Sequence, residues 1–165
     1  MIARVATTED IEAITTIYNQ GIEDRIATLE TRLRDSTDVA AWLGGRYPVA
    51  VVEQNNLVLA FAAASVYRPR ACYHGIAETS VYVHRDHRGK GAGRMVLQEL
   101  IRLAEAAGFW KLVSRIFPEN EASLALIRSA GFREVGLYEK HGRLDNIWRD
   151  VIIVERLIPS NLNCE

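Results

Sequence analysis

The chain has 165 residues, of which 48% are hydrophobic and 25% charged, with a formal net charge of −1 and a pI of about 6.4. This length and composition are typical of a single globular domain, spanning 1–165, with a substantial core. The near-neutral charge argues against a nucleic-acid binder that relies on overall positive charge, so any electrostatic partner must be bound locally.

The N-terminus and the cysteines indicate a cytoplasmic protein. The first residues, MIARVATTEDIEA, carry early charges and lack the apolar core of an export signal. The longest apolar run, LVLAFAAASV at 57–66, is too short to cross a bilayer, so we expect no membrane partner. Cys72 and Cys164 are too few and too isolated for a disulfide framework or a zinc site.

The first half of the chain predicts a strand, two helices and a hairpin. A short strand at 1–6 precedes an amphipathic helix at 7–25, with Thr7 or Thr8 as its N-cap. A polar loop leads to a shorter helix at 36–46, capped by Ser36 or Thr37 and ended by two glycines. Two apolar, β-branched runs around Asn55 and Asn56 then predict a hairpin over 47–68.

The second half alternates strands with helices. Strands are predicted at 75–84 and 110–117, each followed by a helix, at 92–107 and 118–131. A final pair of strands is predicted at 132–142 and 146–157. The order βααβββαβαββ indicates an α/β protein with helices layered on a mixed sheet.

The segment HRDHRGKGAG, residues 84–93, places basic residues and glycines directly before a helix. Basic residues at a helix N-terminus are unfavourable unless an anion lies among them. A nucleotide-triphosphate loop is excluded because no Ser or Thr follows Lys90, and a dinucleotide fingerprint because Arg94 replaces the third glycine. The remaining pattern, R-x-x-G-x-G at 88–93, offers backbone N–H groups to a pyrophosphate; the alternative is a solvated glycine turn.

A second motif, NEASLALIRSAGF at 120–132, starts a helix with asparagine and ends it with Gly-Phe. Together with R-x-x-G-x-G after the fourth strand and the element order above, it resembles the GNAT acyltransferase superfamily. The segments IYNQGIED, YRPRACY and AETSVYV look most like the phosphinothricin N-acetyltransferase family and its arsinothricin-resistance branch. This resemblance implies a single GNAT domain whose mostly antiparallel sheet of about seven strands is flanked by about four helices.

The resemblance implies acetyl-CoA as the acyl donor. Backbone N–H groups of the loop would hold its pyrophosphate, and the β-strand before the loop would pair with its pantetheine arm. The Val83 N–H would polarise the thioester carbonyl, and Asn120 matches the family's asparagine near the pantetheine, with Ser123 as a weaker candidate. The implied cofactor-binding residues are Val81, Tyr82, Val83, Arg88, Gly89, Lys90, Gly91, Ala92, Gly93, Arg94, Asn120 and Ser123.

The resemblance assigns the catalytic base to Glu78. An amino acid's α-ammonium is mostly protonated at pH 7, so a base must remove a proton before the amine can attack. Glu78 occupies the base position of the family's A-E-x-x-V-Y-V, and it would otherwise be a rim carboxylate. Two positions depart from the family: Asp145 stands where a second histidine is frequent, and Ile127 replaces the usual tyrosine acid. Tyr138 is an alternative acid.

The loop YRPRACY is the family's acceptor loop. Arg68 and Arg70 flank a proline, and two guanidiniums can hold a carboxylate or another oxyanion. Tyr73 and Glu30 are expected to line the same pocket, which would suit a small amino acid with a phosphinate, arsinate or sulfone tail. Exposed arginines at a proline turn are the competing interpretation.

Several further features carry no separate chemistry. The tryptophans are interpreted as core and interface residues, and the histidines lack a common metal-ligand spacing, so no metal is expected. Direct transfer is favoured over an acyl-cysteine at Cys72. Besides an N-acetyltransferase of small amino acids, the sequence leaves open an acyl-CoA sensor without turnover and a protein N-terminal acetyltransferase. The resemblance also implies a homodimer.

Overall fold

The computed structural model describes residues 1–163, so Cys164 lies outside the described residues. Its strands are β1 (Ile2–Val5), β2 (Val49–Gln54), β3 (Leu57–Val66), β4 (Ile76–Val83), β5 (Lys111–Ile116), β6 (Arg133–Leu144) and β7 (Ile147–Leu157). Its α-helices are α1 (Ile11–Glu23), α2 (Ser36–Ala40), α3 (Ala92–Ala106) and α4 (Glu121–Ser129). The predicted order of helices and strands is confirmed.

The strands form one seven-stranded sheet with the order β1-β2-β3-β4-β5-β7-β6. Neighbouring strands are antiparallel throughout, except for the parallel pair β4 and β5. The sheet is therefore mixed and mostly antiparallel, and the predicted fold class is confirmed.

Helices cover both faces of the sheet because the buried strands are apolar on both sides. On one face, α3 packs Val96, Leu97 and Leu100 into a cluster that continues through α4. On the other face, Ile14 and Ile17 of α1 pack with further apolar residues of α2, β2, β3 and β4. This arrangement leaves the junction of β4 and β5 between the two helical layers.

The first two helices begin differently from the sequence prediction. A 3-10 turn, Thr8–Asp10, precedes α1, and the Asp10 carboxylate accepts a hydrogen bond from the Thr7 N–H at 2.8 Å. The prediction that Ser36 or Thr37 caps α2 is wrong, because Asp35 accepts from the Asp38 N–H at 2.9 Å. Helix α2 ends at Ala40, before the predicted glycine stop, since a turn replaces its last residues.

Candidate active site

The parallel strands β4 and β5 pair over only three residues. Their register ends where Glu78 lies opposite Val113. Beyond this point β4 stays on β3, whereas β5 stays on β7 as far as Ile116. The strands therefore separate, and a cavity of about 410 Å³ opens where they part. This volume is in the range of small-molecule sites.

The cavity draws residues from both helical layers and from the splayed strands. Predicted site residues in its lining are Glu30, Glu78, Val81, Tyr82, Asn120 and Ser123. Residues that the sequence analysis did not assign to the site also line it, including Arg115, His141, Tyr18, Ser80 and Phe117. The chain thus gathers into one concave site segments that are as far apart in sequence as Tyr18 and Val151.

Backbone groups of β4 alternate between β3 and the cavity. The His84 N–H donates to the Leu59 carbonyl of β3 at 2.8 Å, so by alternation the Tyr82 backbone also faces β3. The backbone groups of Val81 and Val83 consequently face the gap that opens where β4 and β5 separate, which we call the splay. At this edge, which β5 does not pair within the described residues, Val81 offers its N–H and C=O groups and Val83 offers its N–H. The Val83 carbonyl accepts a hydrogen bond from Arg88 Nε at 3.4 Å.

The Tyr82 side chain is a buried core residue that also borders the cavity. Its ring stacks on Phe61 at a centroid distance of 5.4 Å, and a Cβ added at Gly21 would lie 2.6 Å from it. Burial raises the pKa of Tyr82 well above its ordinary value. Of the three predicted strand residues, only Val81 and Val83 present backbone groups to the splay.

The glycine loop brings the start of α3 close to the end of β4. Gly91 is the residue before α3 and has a φ of 89°, a left-handed conformation that favours glycine. A Cβ added at Gly93 would meet Val83 Cγ2 at 3.2 Å and Leu126 Cδ2 at 3.4 Å. Glycine at 93 therefore lets the helix start approach both β4 and α4, with its first N–H groups unpaired within the helix.

The basic residues of this loop are held by neighbouring acids and carbonyls. Arg88 donates to Asp24 at 2.6 Å, and Arg85 donates to the same carboxylate at 2.8 Å. Partial burial opposes ionisation of Asp24, but these two hydrogen bonds outweigh it and lower the pKa of Asp24. Lys90 donates to the Asp86 carbonyl at 3.0 Å, and Arg94 is exposed.

Glu78 lies at the vertex of the splay and is hydrogen-bonded to Arg115. The bond joins Arg115 Nη2 to Glu78 Oε1. The Arg115 side chain is 51% exposed, and the Glu78 side chain is 26% exposed. Arg115 lies two residues beyond the partner of Glu78 on β5, which puts both side chains on the same face. The register of β4 against β5 was needed to find this pair.

The segment between α1 and α2 forms one wall of the cavity. A Cβ added at Gly142 would lie 2.4 Å from Leu29 Cδ1, so the Leu29 side chain packs directly on the β6 backbone. Glu30 forms an ion pair with Arg34 at 3.1 Å. Asn19 fixes the same segment by donating to the Arg34 carbonyl at 2.9 Å and accepting from its N–H at 2.8 Å.

The start of α4 forms the opposite wall. Asn120 caps this helix by accepting from the Ser123 N–H at 3.2 Å, and its amide donates to the Ile26 carbonyl at 3.2 Å. Ile127 is buried and lines the cavity, so an apolar side chain occupies the position where the family frequently has a tyrosine. His141 also lines the cavity, and the centroid of its ring lies 4.6 Å from that of the Tyr138 ring.

Other predicted acceptor residues lie outside the cavity lining. Arg68, Arg70 and Tyr73 belong to the loop between β3 and β4, and none of the three lines the cavity as the structure describes it. Arg68 stacks on Tyr67 at 5.2 Å. Asp145 lies in the turn between β6 and β7 and pairs with Arg25 at 3.1 Å, away from the lining.

The described residues contain no group of three or more His, Cys, Asp or Glu side chains arranged to hold a metal ion. Within the same residues, none of the helices is both long and apolar enough to cross a membrane.

Comparison with protein families matches residues 12–132 to the acetyltransferase (GNAT) family. An L-amino acid N-acyltransferase of Escherichia coli is 34% identical over 94% of this chain and 92% of its own length. An L-methionine sulfoximine/L-methionine sulfone acetyltransferase of Salmonella typhimurium is 34% identical over 94% and 93%. A phosphinothricin N-acetyltransferase of Alcaligenes faecalis is 32% identical over 93% and 80%.

Solved structures show the same fold. A ribosomal-protein-alanine N-acetyltransferase from Brucella melitensis has a TM-score of 0.91 at 33% identity, covering 96% of this chain and 100% of that one. A phosphinothricin acetyltransferase from Sinorhizobium meliloti in complex with acetyl-CoA has a TM-score of 0.88 at 30% identity, covering 95% and 88%. The splayed strands, the glycine loop before α3 and these matches together show that the chain belongs to the GNAT family of acetyltransferases.

Proposed function

We propose that this acetyltransferase transfers the acetyl group of acetyl-CoA directly to the α-amine of a small free amino acid or a polar analogue of one. The observation that carries the proposal is the position of Glu78, a carboxylate at the vertex of the splay and in the lining of a cavity of about 410 Å³. The named activities of the relatives, which include phosphinothricin and methionine sulfone acetylation, support this substrate class.

The residues around the splay suit acetyl-CoA, which supplies an acetyl group activated as a thioester. The N–H groups of Ala92, Gly93 and Arg94 at the start of α3 would bind its pyrophosphate, aided by Arg88 and Lys90. At 93 a side chain would fill the space that lets this helix start approach β4. The unpaired edge at 81 and 83 would accept an extended arm as an added strand.

Strand geometry favours Val81 over Val83 as the donor to the thioester carbonyl. At about 3.3 Å per residue, Val81 lies about 10 Å along β4 from Glu78, whereas Val83 lies about 17 Å away. Val81 also lines the cavity, and Val83 does not. Because the carbonyl must be close to the amine that Glu78 deprotonates, the proposal assigns this hydrogen bond to the Val81 N–H.

Glu78 is proposed as the general base that takes a proton from the acceptor's ammonium. Its Oε1 accepts a hydrogen bond from Arg115, and its side chain keeps about a quarter of its surface exposed to the cavity. Glu30, on the opposite wall, is placed to contact the acceptor. Arg68, Arg70 and Tyr73 are proposed to form the entrance, since their loop joins β3 to β4 just before Glu78.

The experiment that tests this function is release of free thiol from acetyl-CoA by the purified protein. Acceptors would be phosphinothricin, arsinothricin, methionine sulfone, ordinary amino acids, a polyamine and a short peptide. We expect turnover with the amino acids and analogues, and Glu78→Gln should reduce it by roughly 10²–10⁴-fold. Glu134→Gln is the matched control, because Glu134 also pairs with an arginine but lies outside the cavity lining. Unchanged turnover in Glu78→Gln would remove Glu78 as the base.

Ile127 favours a second candidate function, a sensor that binds acyl-CoA without turnover. An isoleucine cannot protonate a departing thiolate, so this step must use solvent or another group. Acetyl-CoA binding with no thiol release on any acceptor would support the sensor. Turnover confined to the peptide would instead support a protein N-terminal acetyltransferase; a ribosomal-protein-alanine N-acetyltransferase is among the similar structures.

We further propose a homodimer that forms through the outer hairpin of β6 and β7. Strand β6 is an edge strand, and six large apolar side chains of the hairpin are exposed: Val135, Leu137, Tyr138, Ile147, Trp148 and Leu157. Such an edge promotes pairing with another chain unless it is covered. Light scattering after size exclusion should give twice the monomer mass, and Leu137→Glu should reduce it to the monomer.

Because acetyl-CoA is an intracellular metabolite, the proposed reaction is cytoplasmic.

A further inference from the structure

Two opposite charges lie side by side in the cavity lining. Glu78 on β4 and Arg115 on β5 are 37 residues apart in sequence, yet their side chains share a hydrogen bond at the point where the strands separate. Both remain accessible, Arg115 to 51% and Glu78 to 26% of its side-chain surface. The floor of the cavity therefore presents a carboxylate and a guanidinium to whatever enters it.

The guanidinium of Arg115 is largely unused by the protein. Within residues 1–163 its only hydrogen bond goes to Glu78. A guanidinium has five N–H donors in a planar fork, so most of its donor capacity faces the cavity. By contrast, Arg34, in the segment between α1 and α2, is already bound to Glu30 at 3.1 Å and to the backbone.

A purely structural role explains this pair poorly. Exposed ion pairs typically contribute about 0–1 kcal/mol to stability, because solvent screens them and ordering the side chains opposes them. The two strands are already joined at this level by Ser114, whose hydroxyl donates to the Thr79 carbonyl at 2.9 Å. Closing the strand junction therefore does not require Arg115.

We propose that Glu78 and Arg115 together form a receptor for the zwitterion of a free α-amino acid, an inference that rests on the proposed function. The α-ammonium binds Glu78, and the α-carboxylate binds the fork of Arg115. The two charges of an α-amino acid are separated by one carbon, which matches two side chains in direct contact. An incoming zwitterion replaces one ion pair by two, so neither charge of the protein loses its partner.

This receptor also determines specificity and prepares the base. A polyamine or a peptide N-terminus has an amine but no α-carboxylate, so it would compete with Arg115 for Glu78 without compensation. When the α-carboxylate engages Arg115, the Glu78 carboxylate is released from its hydrogen bond and is free to take the ammonium proton. Arg115 is thus a substrate-binding residue that the loop arginines Arg68 and Arg70 do not replace.

The test compares an amino acid with its own carboxamide. Methionine sulfone and methionine sulfone amide present the same amine and side chain, but only the acid has an α-carboxylate. Charge-assisted hydrogen bonds of about 1.5–3 kcal/mol correspond to a preference of about 10–150-fold for the acid. Arg115→Gln should abolish this preference by raising the KM of the acid, while kcat/KM for the amide stays unchanged or rises, because its amine no longer competes with Arg115 for Glu78.

Two further variants keep the result interpretable. Arg115→Lys retains the charge but not the planar fork and should recover only part of the preference. Arg102→Gln is the matched control, since Arg102 is an exposed arginine that binds Glu99 at 2.7 Å on α3, outside the cavity lining. It should leave both substrates unaffected.

An equal loss for acid and amide in Arg115→Gln, with the same shift in the pH profile of both, would overturn the receptor and leave Arg115 as a group that only tunes Glu78. Such a result would leave the proposed acetylation intact. The reverse case is a receptor that exists in a protein without turnover, and it is tested by measuring calorimetric binding of both compounds in the presence of CoA. If no acceptor turns over but the acid binds more tightly than the amide and Arg115→Gln removes the difference, the receptor stands and the proposed function fails. Equal binding of acid and amide by the unmodified protein would overturn the receptor.

Discussion

Packing of Leu29 on Gly142 predicts that one added methyl group will loosen the wall of the acceptor site. In Gly142→Ala, the new Cβ would lie 2.4 Å from Leu29 Cδ1, 3.2 Å from Cδ2 and 3.4 Å from Cγ. Position 142 does not have a positive φ, so alanine itself fits the backbone. The variant must therefore displace the Leu29 side chain, which lines the cavity between Thr28 and Glu30.

The magnitude follows from the contact. Overpacking of this kind costs typically about 1–3 kcal/mol in the free energy of unfolding. For a domain of this size, that corresponds to a melting temperature lower by about 2–4 °C per kcal/mol. The apparent KM of the acceptor should rise, because the displaced Leu29 side chain lines the cavity, whereas the KM of acetyl-CoA should stay the same.

A double-mutant cycle measured by chemical denaturation tests the reasoning. Leu29→Ala alone should cost about 1–2 kcal/mol, because the side chain is only partly buried. In that background the three clashing atoms are gone, so Gly142→Ala should be almost neutral. The coupling energy should then be about 1–3 kcal/mol, far outside the roughly 0.5 kcal/mol expected of independent sites. Additive costs would refute the contact as the cause.

Three further predictions concern other parts of the site and the core. Gly93→Ala should raise the KM of acetyl-CoA roughly tenfold in steady-state kinetics and spare the acceptor KM, because its Cβ meets Val83 at 3.2 Å. Asn120→Asp keeps the helix cap but loses the donor to the Ile26 carbonyl, so it should raise the acceptor KM with little change in melting temperature. Burial opposes ionisation of Asp10, but Arg4 and the Thr7 N–H outweigh it and lower the pKa of Asp10. The wild-type protein should therefore lose stability as the pH falls below about 4, through the folded-state pKa, and urea midpoints of Asp10→Asn should change less over that range.

The element order and the glycine loop before α3 were predictable because their signals are local. Helical spacing, paired glycines and β-branched runs act within ten to twenty residues, and the fold follows them closely. The loop at 88–93 was identified because its glycines and charges are adjacent in sequence. Its close approach at Gly93 and the left-handed Gly91 are the backbone features that such a pattern predicts.

The acceptor side was less predictable because it depends on long-range register. Arg115 reaches Glu78 only because Val113 lies opposite Glu78 across a parallel pair, and nothing in the sequence near either residue encodes that alignment. His141 enters the cavity through a strand whose pairing shifts between Tyr138 and Gly142. An irregular strand of this kind breaks the alternation on which a sequence argument relies.

Asn120 shows how the two halves of the site are joined. The family resemblance assigned this residue to the pantetheine side, and the structure places its amide between the α4 backbone and the Ile26 carbonyl of the acceptor wall. The same side chain therefore caps the helix on the cofactor side and fixes the segment that carries Glu30. Because this hydrogen bond joins the start of α4 to the segment between α1 and α2, one short polar side chain helps to fix the separation of the two walls across the cavity.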